Sequence, residues 1–291
     1  MKQRFWHWLD RALWGPETAA RLLFVHTGLA LLIGTRVALG PYPELAGTPE
    51  ALFVPVPILA FLPGMPPLWL IVALQVAGAT AALVAALRRY PRAAFGLAWG
   101  CYLVLAGLFG SRGKVMHNDL LLLWTAVPFL LAPVGVPGDD PEPRREYGWP
   151  VRSAAFIAAV VYGLAGYHKV LRSGPAWAFG DNLRYVLLWG PVYCRVRCEE
   201  AARWVADRWW AYKGASVFSL LFELTFPLVL VWRRLQPWYA VIAVGLHLLT
   251  WVFLGLDYWA WSATAMLVFV DWPAVLSRLQ GGRRLPAGQN V

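Results

Sequence analysis

The sequence predicts an all-α, polytopic transmembrane helical bundle of about eight spans with interfacial amphipathic helices. Three observations predict it. Hydrophobic residues make up 59% of the chain and charged ones only 14%, with 18 tryptophans, a balance that one water-soluble core cannot bury. Apolar runs recur along the whole length, most of them near the roughly 20 residues needed to cross the hydrocarbon of a bilayer. The basic residues fall in short clusters between those runs. The net charge of +10 therefore reads as a topology signal, and no extended basic face suggests nucleic acid.

Met1 to Gly15 interleaves Lys2, Arg4 and Arg11 with Phe5, Trp6, Trp8, Leu9, Leu13 and Trp14, and no small-residue cleavage site follows a short apolar run. An interfacial helix over 1–15 is expected there, not a signal peptide. The expected spans are Thr18 to Ala38, Pro67 to Leu87, Ala93 to Gly110, Asn118 to Val134, Ser153 to Leu171, Ala215 to Trp232, Trp238 to Leu254 and Tyr258 to Val270. Ala51 to Leu62 is apolar but short and carries Pro55 and Pro57, which suits a re-entrant or interfacial segment. Gly96 with Gly100, and the cluster Ala77-Gly78-Ala79, are places where helix backbones can approach closely. Cys101 lies inside a span, and Cys194 and Cys198 in a polar connection. Their spacing fits no zinc framework, and unpaired thiols are expected.

Orientation follows from the lysine and arginine bias of the short loops. With the amino terminus inside, Arg88, Arg89, Arg92, Arg144, Arg145, Arg152, Arg233, Arg234 and Arg278 fall on the cytoplasmic side, while the short outer loops hold only Arg36, Arg112 and Lys114. Both termini are then cytoplasmic in a multi-pass protein of the cytoplasmic (inner) membrane. No repeat or linker divides the chain, so 1–291 reads as one transmembrane domain. Residues 173–214 form an extracytoplasmic interfacial connection, rich in Trp177, Trp189, Trp204, Trp209 and Trp210, and 274–291 a poorly ordered cytoplasmic tail.

Ionisable groups inside spans are costly and ask for a reason. His117, Asn118 and Asp119 open the fourth span, His168 and Lys169 lie in the last turn of the fifth, Glu223 is inside the sixth and His247 inside the seventh. At about 1.5 Å per residue, Glu223 and His247 are each some 10–12 Å below the outer ends of their helices, with Lys169 and Asp119 shallower. Four spans thus aim ionisable groups at one region. Simpler readings stand beside this one. Lys169 can snorkel to the headgroups with Arg172, and Glu223 with His247 can form a structural pair across one helix interface. His26, in the inner half of the first span, is expected to be structural.

At these residues the sequence resembles the HTTM (horizontally transferred transmembrane) domain shared by vitamin K-dependent gamma-carboxylases and their bacterial relatives. The resemblance runs from Thr18-Ala19-Ala20-Arg21-Leu22-Leu23-Phe24, through Leu59 to Pro66 and Asn118-Asp119, to Ala165-Gly166-Tyr167-His168-Lys169-Val170 followed by Trp177 and Gly180. Leu221-Phe222-Glu223-Leu224 and Gly245 to Leu248 match the family's acidic and histidine positions. The resemblance implies that Lys169 is the base that deprotonates vitamin K hydroquinone or menaquinol, with Glu223, His247 and Asp119 catalytic beside it and His117, Asn118, His168 and Trp177 around the bound molecule. An amine in a dry apolar pocket sheds its proton more readily, as a base near neutral pH must. The chain reads His117-Asn118-Asp119 where the carboxylases read Asn-Asn-His, and it continues only briefly past the last span, without the large lumenal region that captures glutamate-rich substrates. Family membership without protein-glutamate carboxylation is the expectation.

Two functions stay open: a membrane enzyme of the quinol-dependent carboxylase or monooxygenase type, or a non-catalytic module that binds a lipid or a partner protein. A proton-coupled transporter would need a polar path continuing inward, and apart from His26 the inner halves of the spans offer little of one. The expected partners are the lipid bilayer, a lipid-soluble quinone and a partner membrane or redox protein, with no nucleic acid and no metal.

Overall fold

The computed structural model describes residues 6, 10, 13–112, 118–134, 140, 142–193 and 198–281. Among these the regular structure is helical, apart from an isolated antiparallel bridge between Glu17 and Arg144. The expected helix over 1–15 falls largely outside the described residues, as do His117 and Cys194.

Helix α1 (Ala19–Leu39) starts at Thr18, whose Oγ1 accepts a hydrogen bond from the Arg21 backbone N–H at 3.2 Å. Helices α2 (Leu68–Ala86) and α3 (Pro91–Gly110) form a hairpin whose turn carries Arg88 and Tyr90 at φ 59° and 46°. Pro91 then opens α3 where a missing N–H costs nothing. Further along come α4 (Leu120–Ala126), α5 (Arg145–Ser173), α6 (Ala176–Phe179), α7 (Asn182–Tyr193), α8 (Glu199–Ala206), α9 (Trp209–Thr225) and α10 (Leu228–Val231). The chain closes with α11 (Gln236–Leu254), α12 (Trp259–Phe269) and α13 (Trp272–Gly281).

Five of these are long and apolar enough to cross a membrane, namely α1, α2, α3, α5 and α11, and a sixth is gained if α12 and α13, bent by 69°, count as one broken span. Eight were expected. The shortfall lies at 118–134 and 215–232, where proline intervenes, and at 258–270. A proline inside a helix removes a donor and clashes with the preceding turn. Helix α4 passes into a 3-10 turn, Val127–Leu130, at Pro128, and α9 stops before Pro227. Helix α12 holds only 11 residues before Val270 turns extended. The expected tail is helical as far as α13.

Helix α1 is the hub, packed against α2, α3, α4, α5, α12 and α13. It buries Leu22, Val25, Leu29 and Ile33, and His26 sits against Phe95 and Phe129 as an ordinary core ring. Gly78 brings α2 close to α3, for an added Cβ would stand 2.8 Å from the Cys101 Cβ. Gly96 and Gly100 do no such work: a Cβ at either meets nothing within 4 Å, so the expected close approach there is corrected. The outward flanks expose Leu31, Val76, Leu83, Leu97, Val241 and Leu248, side chains that belong in lipid. Ala51 to Leu62 does not cross. Its 3-10 turns lie over α3, with the Val56 N–H donating to Ser111 Oγ at 3.1 Å and Leu59 buried.

The long connection builds a small subassembly of its own. Leu187, Ala202, Ala206 and Tyr212 form a core under Phe253 and Leu254, while Trp189, Trp204, Trp209 and Trp210 remain exposed, as interfacial helices require. Asp181 ties it together, accepting from Tyr212 Oη at 2.8 Å and from Lys213 Nζ at 3.0 Å. Those two donors hold the Asp181 carboxyl below its ordinary range.

Candidate functional site

The site is assembled on one stripe of α5. Tyr162, Gly166 and Lys169 follow at four and three residues, so they share a face, and that face meets α9. Gly166 makes the meeting close: a Cβ there would lie 2.9 Å from the Leu224 N and 3.0 Å from the Glu223 Cβ. Gly163 serves likewise against the Pro227 ring.

With the helices so near, the Lys169 Nζ reaches both oxygens of Glu223, at 2.5 and 2.6 Å. The same amine stands 4.4 Å above the Trp177 ring, where the electron-rich face favours a cation. Glu223 is 8% exposed and the Lys169 side chain 26%, so the pair sits at the edge of the packed interior with the amine on the wetter side. The amine turns inward to Glu223 and Trp177. The amine donates to both carboxylate oxygens, so the two charges face each other directly at this edge of the interior.

Beside it lies an aromatic box. Tyr162 Oη is 2.9 Å from His247 Nε2, and the His247 ring is stacked on Tyr258 at 5.1 Å and edge-on to Trp261 at 5.9 Å. Tyr162 is itself stacked on Phe226 at 4.1 Å. Two turns before Glu223 on α9, the buried Ser216 Oγ has no hydrogen-bond partner among the described residues.

Glu223 and His247, expected to meet directly or through one water or ligand, share no direct hydrogen bond among the described residues. Each is tied to α5, Glu223 through Lys169 and His247 through Tyr162. The depths differ as well, because α9 begins at Trp209 and not at Ala215, placing Glu223 about 21 Å down its helix by the 1.5 Å rise.

Asp119 is corrected too. It belongs to a second cluster at the same end of the bundle, accepting from Arg36 Nε at 2.6 Å and from Tyr102 Oη at 2.7 Å, while the other arm of Arg36 reaches Asp257 Oδ2 at 2.7 Å. Asn118 Nδ2 donates to the Asp257 carbonyl at 2.7 Å, and its Oδ1 is buried without a partner among the described residues. This cluster clamps α1, α3, α4 and the approach to α12. It adjoins the first through the chain, since Tyr258 follows Asp257. His168 is exposed and makes an edge-on contact with Tyr167, and His117 lies outside the described residues.

Sequence reasoning missed Tyr162, Tyr258 and Arg36. Tyr162 carried a readable signal, seven residues before Lys169 and so on its face. Arg36 carried one as well, a charge in the last turn of a span, although it was counted only as a loop charge. In comparisons with protein-family models, curated proteins and solved structures, the chain matches none.

Proposed function

We propose that this chain is an HTTM-type, vitamin K-dependent gamma-carboxylase-like protein of the cytoplasmic membrane that takes a lipid-soluble quinol at the Lys169 site, with Lys169 as the base. The observation that carries the proposal is the direction of the Lys169 amine, turned onto Glu223 and Trp177 instead of outward with Arg172. A snorkelling lysine would lie in water and headgroups. The residues present fit an aromatic diol. Tyr162, Tyr258 and Trp261 form an aromatic cluster against which a flat ring could stack, the Tyr162–His247 pair and Lys169 supply polar groups beside it, and Ser216 has hydrogen-bonding capacity to spare.

A bound quinol would supply an acidic hydroxyl and two reducing electrons. The protein's part would be to accept the proton at Lys169 Nζ from its neutral amine form, giving the ammonium that the Glu223 carboxylate and the Trp177 face hold in the ion pair seen here. Tyr162 and His247 orient a second hydroxyl. The Tyr162 hydroxyl donates to Nε2 when the His247 proton is on Nδ1.

The test uses purified protein in nanodiscs with vitamin K hydroquinone or menaquinol, following quinol oxidation under oxygen by absorbance. Lys169→Arg, which cannot shed its proton, should lower turnover by about 100-fold while leaving the melting temperature near the parent value. Retained turnover in that variant refutes Lys169 as base. It would leave the pair as a helix-register lock in a non-catalytic membrane module, a role the Gly166 contact also suits. Failure of the parent protein to bind or oxidise either quinol refutes the quinol reading itself.

The proposal also sets both termini in the cytoplasm and 173–214 outside. In a Cys194→Ser, Cys198→Ser background, an impermeant thiol reagent on intact cells should label a cysteine replacing Asp207 and spare one replacing Arg89. The reverse pattern overturns this orientation.

A further inference from the structure

The end of the bundle opposite the Lys169 site holds a cavity of about 450 Å³ that the quinol reading does not use. Arg152 on its wall is 17 positions before Lys169 on α5, roughly 25 Å at the helical rise. The chain before α1 folds against the start of α5 here, where Glu17 and Arg144 exchange backbone hydrogen bonds at 3.1 and 2.9 Å. A Cβ on Gly148 would fall 1.9 Å from the Gly15 carbonyl oxygen, so only glycine lets the two segments meet.

Three arginines from three separate elements converge in this cavity on one carboxylate. Arg21 reaches Glu17 Oε2 at 2.9 Å, and Arg152 and Arg233 reach Oε1 at 3.1 and 2.5 Å. Among the described residues Glu17 is the one acidic residue lining the cavity, so the three arginines outnumber it by two charges. That excess sits where water is scarce. Arg21 is 6% exposed, and its Nε has no hydrogen-bond partner among the described residues. Buried cations without sufficient counter-charge are costly, and an anion entering the cavity relieves the cost.

The chemistry of the anion can be read from the walls. Guanidinium groups present paired N–H donors that match the oxygens of a phosphate. The cavity is also lined by Val151, Ala155, Leu230 and Val231, and Val231 is exposed. A ligand that satisfies both walls has an anionic phosphate joined to hydrocarbon.

We propose that this cavity binds the phosphate of an anionic glycerophospholipid, with Arg21, Arg152 and Arg233 on the headgroup and the apolar wall on the start of an acyl chain. On the orientation proposed above, the lipid comes from the inner leaflet. Glu17 then has a definite part: it gathers the arginines when the lipid is absent and competes with the phosphate when it is present.

The test is thermal denaturation of the delipidated, detergent-purified full chain, titrated separately with short-chain phosphatidylglycerol, short-chain phosphatidylcholine and inorganic phosphate. Phosphatidylglycerol should raise the melting temperature saturably, and the other two should have little effect. Arg233→Gln carries the main weight, because Arg233 is half-exposed and its loss leaves Arg21 and Arg152 to neutralise Glu17. It should weaken the phosphatidylglycerol titration by about tenfold, the worth of one charge-assisted hydrogen bond. Glu17→Gln should tighten it, an effect of opposite sign that a purely structural role would not produce. Lys169→Arg should leave the titration unchanged whatever it does to quinol turnover. An unaltered titration in Arg233→Gln, or equal protection by phosphatidylcholine, overturns the proposal. Equal protection by inorganic phosphate overturns the lipid assignment.

Discussion

Gly166→Ala is the smallest change that tests how the Lys169 site is built. The added methyl would lie 2.9 Å from the Leu224 N, 3.0 Å from the Glu223 Cβ and 3.1 Å from the Glu223 carbonyl carbon. Favourable carbon contacts begin near about 3.5 Å, so α9 must retreat from α5 by roughly half an ångström or more. Two of the three opposing atoms are backbone, which cannot turn aside as a flexible side chain can. Overpacking of this kind costs about 1–3 kcal/mol. At about 2–4 °C for each kcal/mol, tryptophan fluorescence should record a clear drop in Tm. The retreat also draws Glu223 away from an amine it now holds at 2.5 and 2.6 Å, so quinol turnover should fall along with stability. Gly96→Ala is the control. It adds the same methyl to another long apolar helix where nothing lies within 4 Å, and it should be neutral or raise stability by up to about 1 kcal/mol through better helix propensity. An unchanged Tm in Gly166→Ala, or an equal loss in Gly96→Ala, would refute the argument that α5 and α9 meet at this glycine.

Two more outcomes follow from the charged clusters. Arg36→Met strips Asp119 and Asp257 of their shared cation and should destabilise the protein by roughly 2–4 kcal/mol in a detergent melt. Arg36→Met combined with Asp119→Asn should recover much of that loss, because Tyr102 still bonds the amide; strict additivity of the two losses would sink the pairing. Asp181 governs the subassembly of α7 and α8. Its folded-state carboxyl is held below the ordinary value, so its contribution is fully present above about pH 4 and is lost as the pH falls through the folded value. Hydrogen exchange over α7 and α8 should therefore quicken on acidification below about pH 4, and Asp181→Asn should exchange fast throughout and abolish the pH dependence. A profile identical to the parent's in that variant would remove Asp181 from the account.

What the sequence made legible, and what it hid, divides along the range of the forces involved. A continuous apolar run declares itself, and α1, α2, α3, α5 and α11 fall where hydropathy put them. The broken elements were harder to read because Pro128 and Pro227 interrupt runs whose overall composition is unchanged, and hydropathy averages over the break. Among the site residues, Lys169, Glu223, His247 and Trp177 were readable because a charge or a polar ring in a span stands out one residue at a time. Their pairing was not, since it depends on which helix comes between. Equal depth suggested that Glu223 and His247 touch, but α5 takes each of them, one through Lys169 and one through Tyr162. Tyr162 was passed over because a tyrosine in an apolar run looks like packing.

The arginine cluster around Glu17 teaches the complementary lesson. Loop arginines carry two kinds of information at once, and the positive-inside rule uses only the first. Read one by one, Arg21, Arg152 and Arg233 are three votes for the same side of the membrane. Being on one side, at the ends of helices that all pack around α1 or α5, they are also candidates to meet. Glu17 stands just ahead of α1, and it is the residue that turns three topology markers into one site. The physical reason is the cost of leaving such charges unpaired where the headgroup region gives way to hydrocarbon. A protein that concentrates arginine at one end of its bundle must distribute those cations to water, to lipid phosphates or to its own carboxylates. With one carboxylate for three arginines among the described residues lining this cavity, the protein's own share falls short, and the proposed lipid phosphate would supply the balance.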